Sequence, residues 1–215
     1  MIPKTTLLLA SAFVCSPLAH AQSAAPPRCG EEPGETLLVF VGRQLNLKPV
    51  SNEAPPGYVI LDSKYLARYH ILHILCGLFP SDTIEFEVYD HYGKPAFAQF
   101  ETVLLYVSRY NGRMIHQKYM YNPVYETING DWAGCGDPYE LDAAHRGEVR
   151  AAPVRFKTEV SFPIENLTEA QIQHRYPSEY FVRHGNRVVC TAGTRIQDLF
   201  AIKREGFLRA RGLFK

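Results

Sequence analysis

The sequence predicts a mainly β protein: a five-stranded Greek-key barrel followed by a disulfide-tethered α/β C-terminal extension. Three observations carry that expectation. From Thr36 to Trp132, apolar, β-branched and aromatic residues recur with strand periodicity. Asn111-Gly112 joins two such runs, the strongest short hairpin signal, because both turn positions take positive φ. From Gly134 to Pro163 the chain turns polar and Gly/Pro-punctuated before two short helical segments.

The first 21 residues read as a signal peptide. Lys4 precedes an apolar run from Thr5 to Val14, and Ala19-His20-Ala21 forms a small-x-small cleavage site, so cleavage after Ala21 and a periplasmic or secreted protein are expected. Cys15 leaves with the leader, and Ala12-Phe13-Val14 before it lacks the small residue that lipid anchoring needs. Loss of Lys4 leaves 22 basic against 22 acidic residues, so no global field draws the chain to nucleic acid or acidic lipid. No later apolar stretch approaches the ~20 residues of a membrane span. Residues 22–35, with Pro26, Pro27 and Pro33, read as an extended leader held by Cys29.

Residues 36–132 are the barrel. Leu37 to Leu47 forms a long first strand in which Gly42 suits a bulge or a sharp coil. A loop with Pro49, Pro55, Pro56 and Gly57 leads to a second strand, Tyr65 to Leu75, and a turn from Cys76 to Asp82 leads to a third, Thr83 to Asp90. There Ile84, Phe86 and Val88 alternate with Glu85, Glu87 and Tyr89, one buried face and one wet. The fourth and fifth strands, Thr102 to Tyr110 and Arg113 to Tyr121, flank the Asn111-Gly112 turn.

Cys29, Cys76, Cys135 and Cys190 enter an oxidising compartment and allow three pairings. Antiparallel first and second strands bring Cys29 beside Cys76, which leaves Cys135 to pair with Cys190. Pairing the second and third strands around the Cys76 turn sets His73 opposite Glu85 and Arg68 opposite Asp90.

The order Leu38-Val39-Phe40-Val41-Gly42-Arg43, Ala67-Arg68-Tyr69-His70-Ile71-Leu72 with Cys76-Gly77, Asp82-Thr83-Ile84-Glu85-Phe86, and Val103-Leu104-Leu105-Tyr106-Val107 resembles netrin-like modules. Those are OB-fold barrels of tissue inhibitors of metalloproteinases, complement components and some bacterial exported proteins. The resemblance covers roughly residues 29–125 and implies an OB-fold barrel with a binding or inhibitory role. The metalloproteinase inhibitors chelate zinc through an N-terminal cysteine. Here Gln22 to Arg28 precede Cys29, so that mode requires a second cut. The family's cysteine before the fourth strand is replaced by His91-Tyr92-Gly93-Lys94-Pro95.

Residues 133–215 form the extension. Asn166 or Thr168 caps a helix through Tyr176 that Pro177 stops, and His184-Gly185-Asn186 turns a hairpin delivering Cys190. Thr194 is expected to cap a final helix to Glu205, with Gly206 as its stop. Ile196, Leu199, Phe200 and Ile202 would form its apolar stripe, and Lys203 would join a basic side. Residues 195–215 hold six basic and two acidic side chains, read as a solvated face of a docked tail.

Catalytic signatures are absent from the sequence. There is no Gly-x-Ser-x-Gly elbow, Ser-x-x-Lys pair or Gly-rich phosphate loop, and no histidine pair has metal-ligand spacing, so no cofactor or metal is expected. The most polar junction is Asp90-His91-Tyr92-Gly93, and His116, opposite Val107, is placed over the same barrel mouth. The alternative function, centred on the Asp90-His91 loop, is a hydrolase built from Asp90, His91 and Glu101, or a metal-dependent binder that uses His91 and His116 with a carboxylate. The leading expectation is a protein-binding surface of Tyr106, Tyr110, Arg113, Tyr119 and Tyr121, because ordered tyrosines present large area at low entropic cost. OB-folds also bind single-stranded nucleic acid through such side chains, and export argues against that partner.

Overall fold

A computed structural model describes residues 36–214 apart from Asn52, Glu53, Pro55, Tyr58 and Tyr139. The expected signal peptide, the leader and Cys29, hence the Cys29–Cys76 bridge, lie outside the described residues.

The five long strands are β1 Thr36–Val50, β2 Ser63–Cys76, β3 Thr83–Asp90, β4 Thr102–Tyr110 and β5 Arg113–Pro123. They close into a barrel in the order β1-β2-β3-β5-β4. β1 makes closure possible, since Val39 to Val50 pairs with β2 while Thr36 to Arg43 pairs with β4. The register slips between Val41 and Gly42, as a glycine bend there requires. A Cβ on Gly42 would lie 2.7 Å from Cε2 of the buried Phe40, so the bend brings backbone against the core. The ring closes where β3 and β5 run parallel, Glu87 opposite Ile115.

Leu38, Phe40, Ala67, Tyr69, Ile84, Phe86, Val88, Val103, Leu105 and Val107 fill the interior. Phe97, from the 3-10 turn Ala96–Gln99, packs among them. The opposite faces of β1 and β4 are buried too, which is why both strands read as unbroken apolar runs.

The β2–β3 register differs from expectation. Arg68 stands opposite Glu85 and Ser63 opposite Asp90. The Ile71 amide takes the carbonyl of Asp82, and Ile71, His73, Ile74 and Cys76 pair with β1. Gly77, at φ 87°, turns the chain tight against Leu37 O.

The extension is built on two small sheets. β6 Tyr125–Glu126, β7 Trp132–Cys135, β8 Ala152–Pro153 and β12 Ala192–Arg195 form one, in the order β6-β7-β12-β8. β9 Ser161–Pro163, β10 Phe181–His184 and β11 Arg187–Cys190 form the other, in the order β10-β11-β9. β7 crosses residues 132 and 133, so barrel and extension meet within one sheet. The expected Cys135–Cys190 disulfide joins the two sheets, with Cα atoms 6.1 Å apart. α1 Glu169–Arg175 is capped by Thr168 in a capping box with Gln171.

Gly193 sits where β12 meets β7. A Cβ there would lie 2.5 Å from Gly134 O and 3.0 Å from Val154 Cγ1. Because the first obstacle is backbone, Gly193→Ala is expected to cost at least ~1–3 kcal/mol, read as a lowered thermal midpoint.

The final helix, α2 Ile196–Lys203, corrects three expectations. Its N-cap is Arg195, because the hydroxyl of the buried Thr194 donates instead to Gly136 O at 2.8 Å. Gly206 does not stop it: the chain continues through a π-helical turn, Arg204–Leu208, and Gly206 is where His145 packs, 2.8 Å from a hypothetical Cβ. Lys203 is buried rather than part of a basic side, and pairs with Asp142. Ile196, Leu199, Phe200, Leu208 and Leu213 cover Leu37, Val39, Val41, Leu104 and Tyr106 on the outside of the barrel.

Candidate functional site

The site grows from a bulge in β5. Val107 stands opposite His116 as expected, but Leu105 stands opposite Tyr121, so four residues, Gln117 to Met120, face Tyr106 alone. At its apex Tyr119 adopts φ 65°, a left-handed backbone that an aromatic side chain rarely takes. The bulge is fastened on three sides. His116 Nε2 donates to Met120 O at 2.8 Å, Gln117 Nε2 donates to Ser108 Oγ at 2.7 Å, and Arg211 donates to Gln117 Oε1 and Lys118 O at 2.9 and 3.0 Å.

The exit of β3 meets it from the other side. Asp90, 8% exposed, accepts the Tyr92 amide at 2.8 Å, an Asx turn that projects His91 and Tyr92 outward. His91 Nδ1 donates to Leu61 O at 2.9 Å, which draws in the end of the β1–β2 connection. Lys118 Nζ lies 2.7 Å from both Asp62 oxygens and 5.2 Å from the centre of the Tyr119 ring. Asp62 and its neighbour Tyr119 together raise the lysine pKa, against its desolvation.

The product is one aromatic surface. Tyr92 and Tyr119 have ring centroids 5.8 Å apart, and His91 packs edge-on to Tyr92 at 5.5 Å. Tyr92 is 84% exposed and Tyr119 47%; Leu61, whose carbonyl takes His91, is 70% exposed. A solvated Asx turn needs none of this exposed aromatic area, and it lies beside a strained residue.

Of the sequence-derived candidates, the structure therefore brings together Tyr119 and His91, with Asp90 beneath them. Tyr106 is fully buried under the C-terminal helix, where burial and then Asp142 push its phenol well up, so it cannot touch a partner. Tyr121 packs on Phe97 and Phe100 in the barrel end, and burial raises its pKa as well. Arg113 is held by Glu87 and Tyr89, so it is not a free anchor. That same ion pair, led by Arg113, pulls Glu87 down to about 2. Tyr110, 52% exposed, sits at the β4–β5 turn.

His116 is corrected too. It is not at a barrel mouth but inside the barrel, 5% exposed, with its ring 4.8 Å from Phe97. Burial holds its pKa at about 4. It is therefore not available beside His91 as a metal ligand, and Glu101 lies against Arg43 at 3.6 Å rather than with Asp90 and His91. Among the described residues, no three His, Cys, Asp or Glu side chains converge on a metal-sized site, and no helix is long and apolar enough to cross a membrane.

The exposed apolar residues Val59 to Leu61, and Lys118, are not singled out by the sequence reading. The only available signal was an apolar run directly after the Pro55-Pro56-Gly57 turn, where solvated residues are the rule. Comparison with protein-family models, with curated proteins and with solved structures finds no match.

Proposed function

We propose that this chain is an exported OB-fold module that binds a protein partner, in the periplasm or outside the cell, through the surface formed by Tyr92, Tyr119 and His91. The observation that carries the reading is Tyr119: an aromatic side chain held at φ 65° on a bulge fastened from three sides, yet half exposed against a more exposed tyrosine. Strain of this kind costs about 1–3 kcal/mol and persists where surroundings enforce it, commonly at ligand contacts.

Two further observations support the fold assignment within the proposal. The closed five-stranded order β1-β2-β3-β5-β4 with β3 and β5 parallel is the order an OB barrel would take, which supports that reading. The surface uses the β1–β2 connection, one of the loops with which such barrels take ligands. The netrin-like resemblance adds a binding or inhibitory role, and the leader sequence adds export.

The test is capture of partners from the native compartment by wild-type protein and by the double variant Tyr92→Ala with Tyr119→Ala. A partner retained by the wild type should fall at least ~30-fold for the variant, the loss of a ≥2 kcal/mol hot spot, with the far-UV spectrum unchanged. Equal retention by folded variant and wild type would sink the reading.

A further inference from the structure

His116 is the buried titratable group on which the binding surface stands. Its Nε2 donates to Met120 O across the bulge. A carbonyl only accepts, so the proton of the neutral ring lies on Nε2 and a second must enter at Nδ1. Among the described residues no second hydrogen bond reaches the ring, which is enclosed by Phe97 at 4.8 Å and Phe86 at 6.2 Å.

The groups around it offer an imidazolium no relief. β3 and the 3-10 turn contribute Phe86 and Phe97, which do not titrate. Tyr69 and Tyr121 flank Phe97, and β4 contributes Val107, while Tyr106 lies on the outer face of β4 with its hydroxyl turned to Asn122. Lys118 is paired with Asp62, and Asp90 is bonded to the Tyr92 amide. Arg211, bonded to the outside of the bulge, opposes a second positive charge.

We propose that His116 is an acid-operated latch on the binding surface: on taking a second proton its ring leaves the barrel for water, breaks its bond to Met120 and frees the 117–120 bulge, which withdraws Tyr119 from Tyr92. The claim rests on the reading of Tyr92 and Tyr119 as the contact surface. The bulge suits the movement because its four residues oppose one residue of β4 and can reseat without changing register at either end. Release also relieves the left-handed backbone of Tyr119.

The sign follows from the geometry. Burial, reinforced by Arg211, lowers the pKa of the enclosed ring from 6.5 to about 4, so the neutral, latched form holds at neutral pH and is lost progressively as pH falls from 6.5 toward that value.

An acid titration of the whole protein, followed by histidine-ring and backbone-amide NMR, tests it. The His116 ring should titrate between its ordinary 6.5 and about 4, and the amides of Tyr119 and Met120 should shift with the same midpoint while those of β10 and β11 stay fixed. His116→Phe should abolish the bulge transition. Arg211→Gln, which leaves the barrel interior intact, should move the midpoint upward, because a like charge and one fastening are gone. Bulge amides that stay fixed while His116 titrates, or that move only as the whole barrel unfolds, would overturn the latch. Partner capture indifferent to Tyr119→Ala, with the bulge transition intact, would instead overturn the contact-surface reading and the regulatory claim resting on it.

Discussion

Lys203→Ala is expected to destabilise the protein by about 3–5 kcal/mol, because it removes one member of a buried ion pair and leaves the other charge without compensation. The pair joins the C-terminal helix to the 3-10 segment Glu140–His145: Lys203 Nζ lies 2.9 and 2.7 Å from the two oxygens of Asp142. The side chains are only 9% and 3% exposed, so water does not screen them. The lysine also stands 5.3 Å from the Phe207 ring, and Asp142 borders the buried Tyr106. For a chain of this size the thermal midpoint should fall by roughly 10 °C. Replacing both charges, Lys203→Met with Asp142→Leu, should recover most of the loss, since an apolar pair of similar volume carries no desolvation cost. A loss below ~1 kcal/mol for the single variant would mean that the pair behaves as a solvated one.

Removing the Cys135–Cys190 bridge should have an effect of similar size. The bridge closes a sequence separation of 55 residues, which the chain-entropy account converts to about 4 kcal/mol at 25 °C. The double variant Cys135→Ala with Cys190→Ala should therefore unfold at lower denaturant, with a somewhat larger m-value because the uncrosslinked denatured chain exposes more surface. The small core of Val160, Ile164, Ile172, Phe181 and Val188 depends on this tether, so its amides should exchange faster than those of the barrel interior. Uniform loss of protection across the barrel and the extension would contradict that local role.

The barrel was legible where local chemistry and packing agree. β3 and β4 were readable to the residue, β3 because one face is wet and β4 because turn chemistry ends it at Asn111-Gly112, where φ is 48° and 78°. The β2–β3 register was not legible, since nothing in Cys76-Gly77 says that the end of β2 continues along β1 alone. Gly206 reads as a helix stop by its type and is a contact with His145 by its position. Lys203 reads as solvated until Asp142 is brought against it from 61 residues away.

The candidate site was legible only in halves. Asp90-His91-Tyr92 stood out by polarity and Tyr119 by aromatic density, yet neither pattern says that they meet. Their meeting depends on a bulge whose positive-φ residue is neither glycine nor asparagine, so the usual turn signals are silent. Tyr106 and Tyr121 share the composition of the surface tyrosines, but Tyr106 is buried under the C-terminal helix and Tyr121 is half-buried against Phe97.

Site-specific photo-crosslinking in the native compartment tests the central claim most directly, with a photoreactive aromatic residue in place of Tyr92 and, as control, of Val182, 45% exposed on β10. A discrete protein adduct from position 92 that is absent from position 182, and that disappears when Tyr119→Ala is added, is the predicted result. No adduct at position 92, or the same adducts from both positions, would contradict the assignment of this surface as the partner contact.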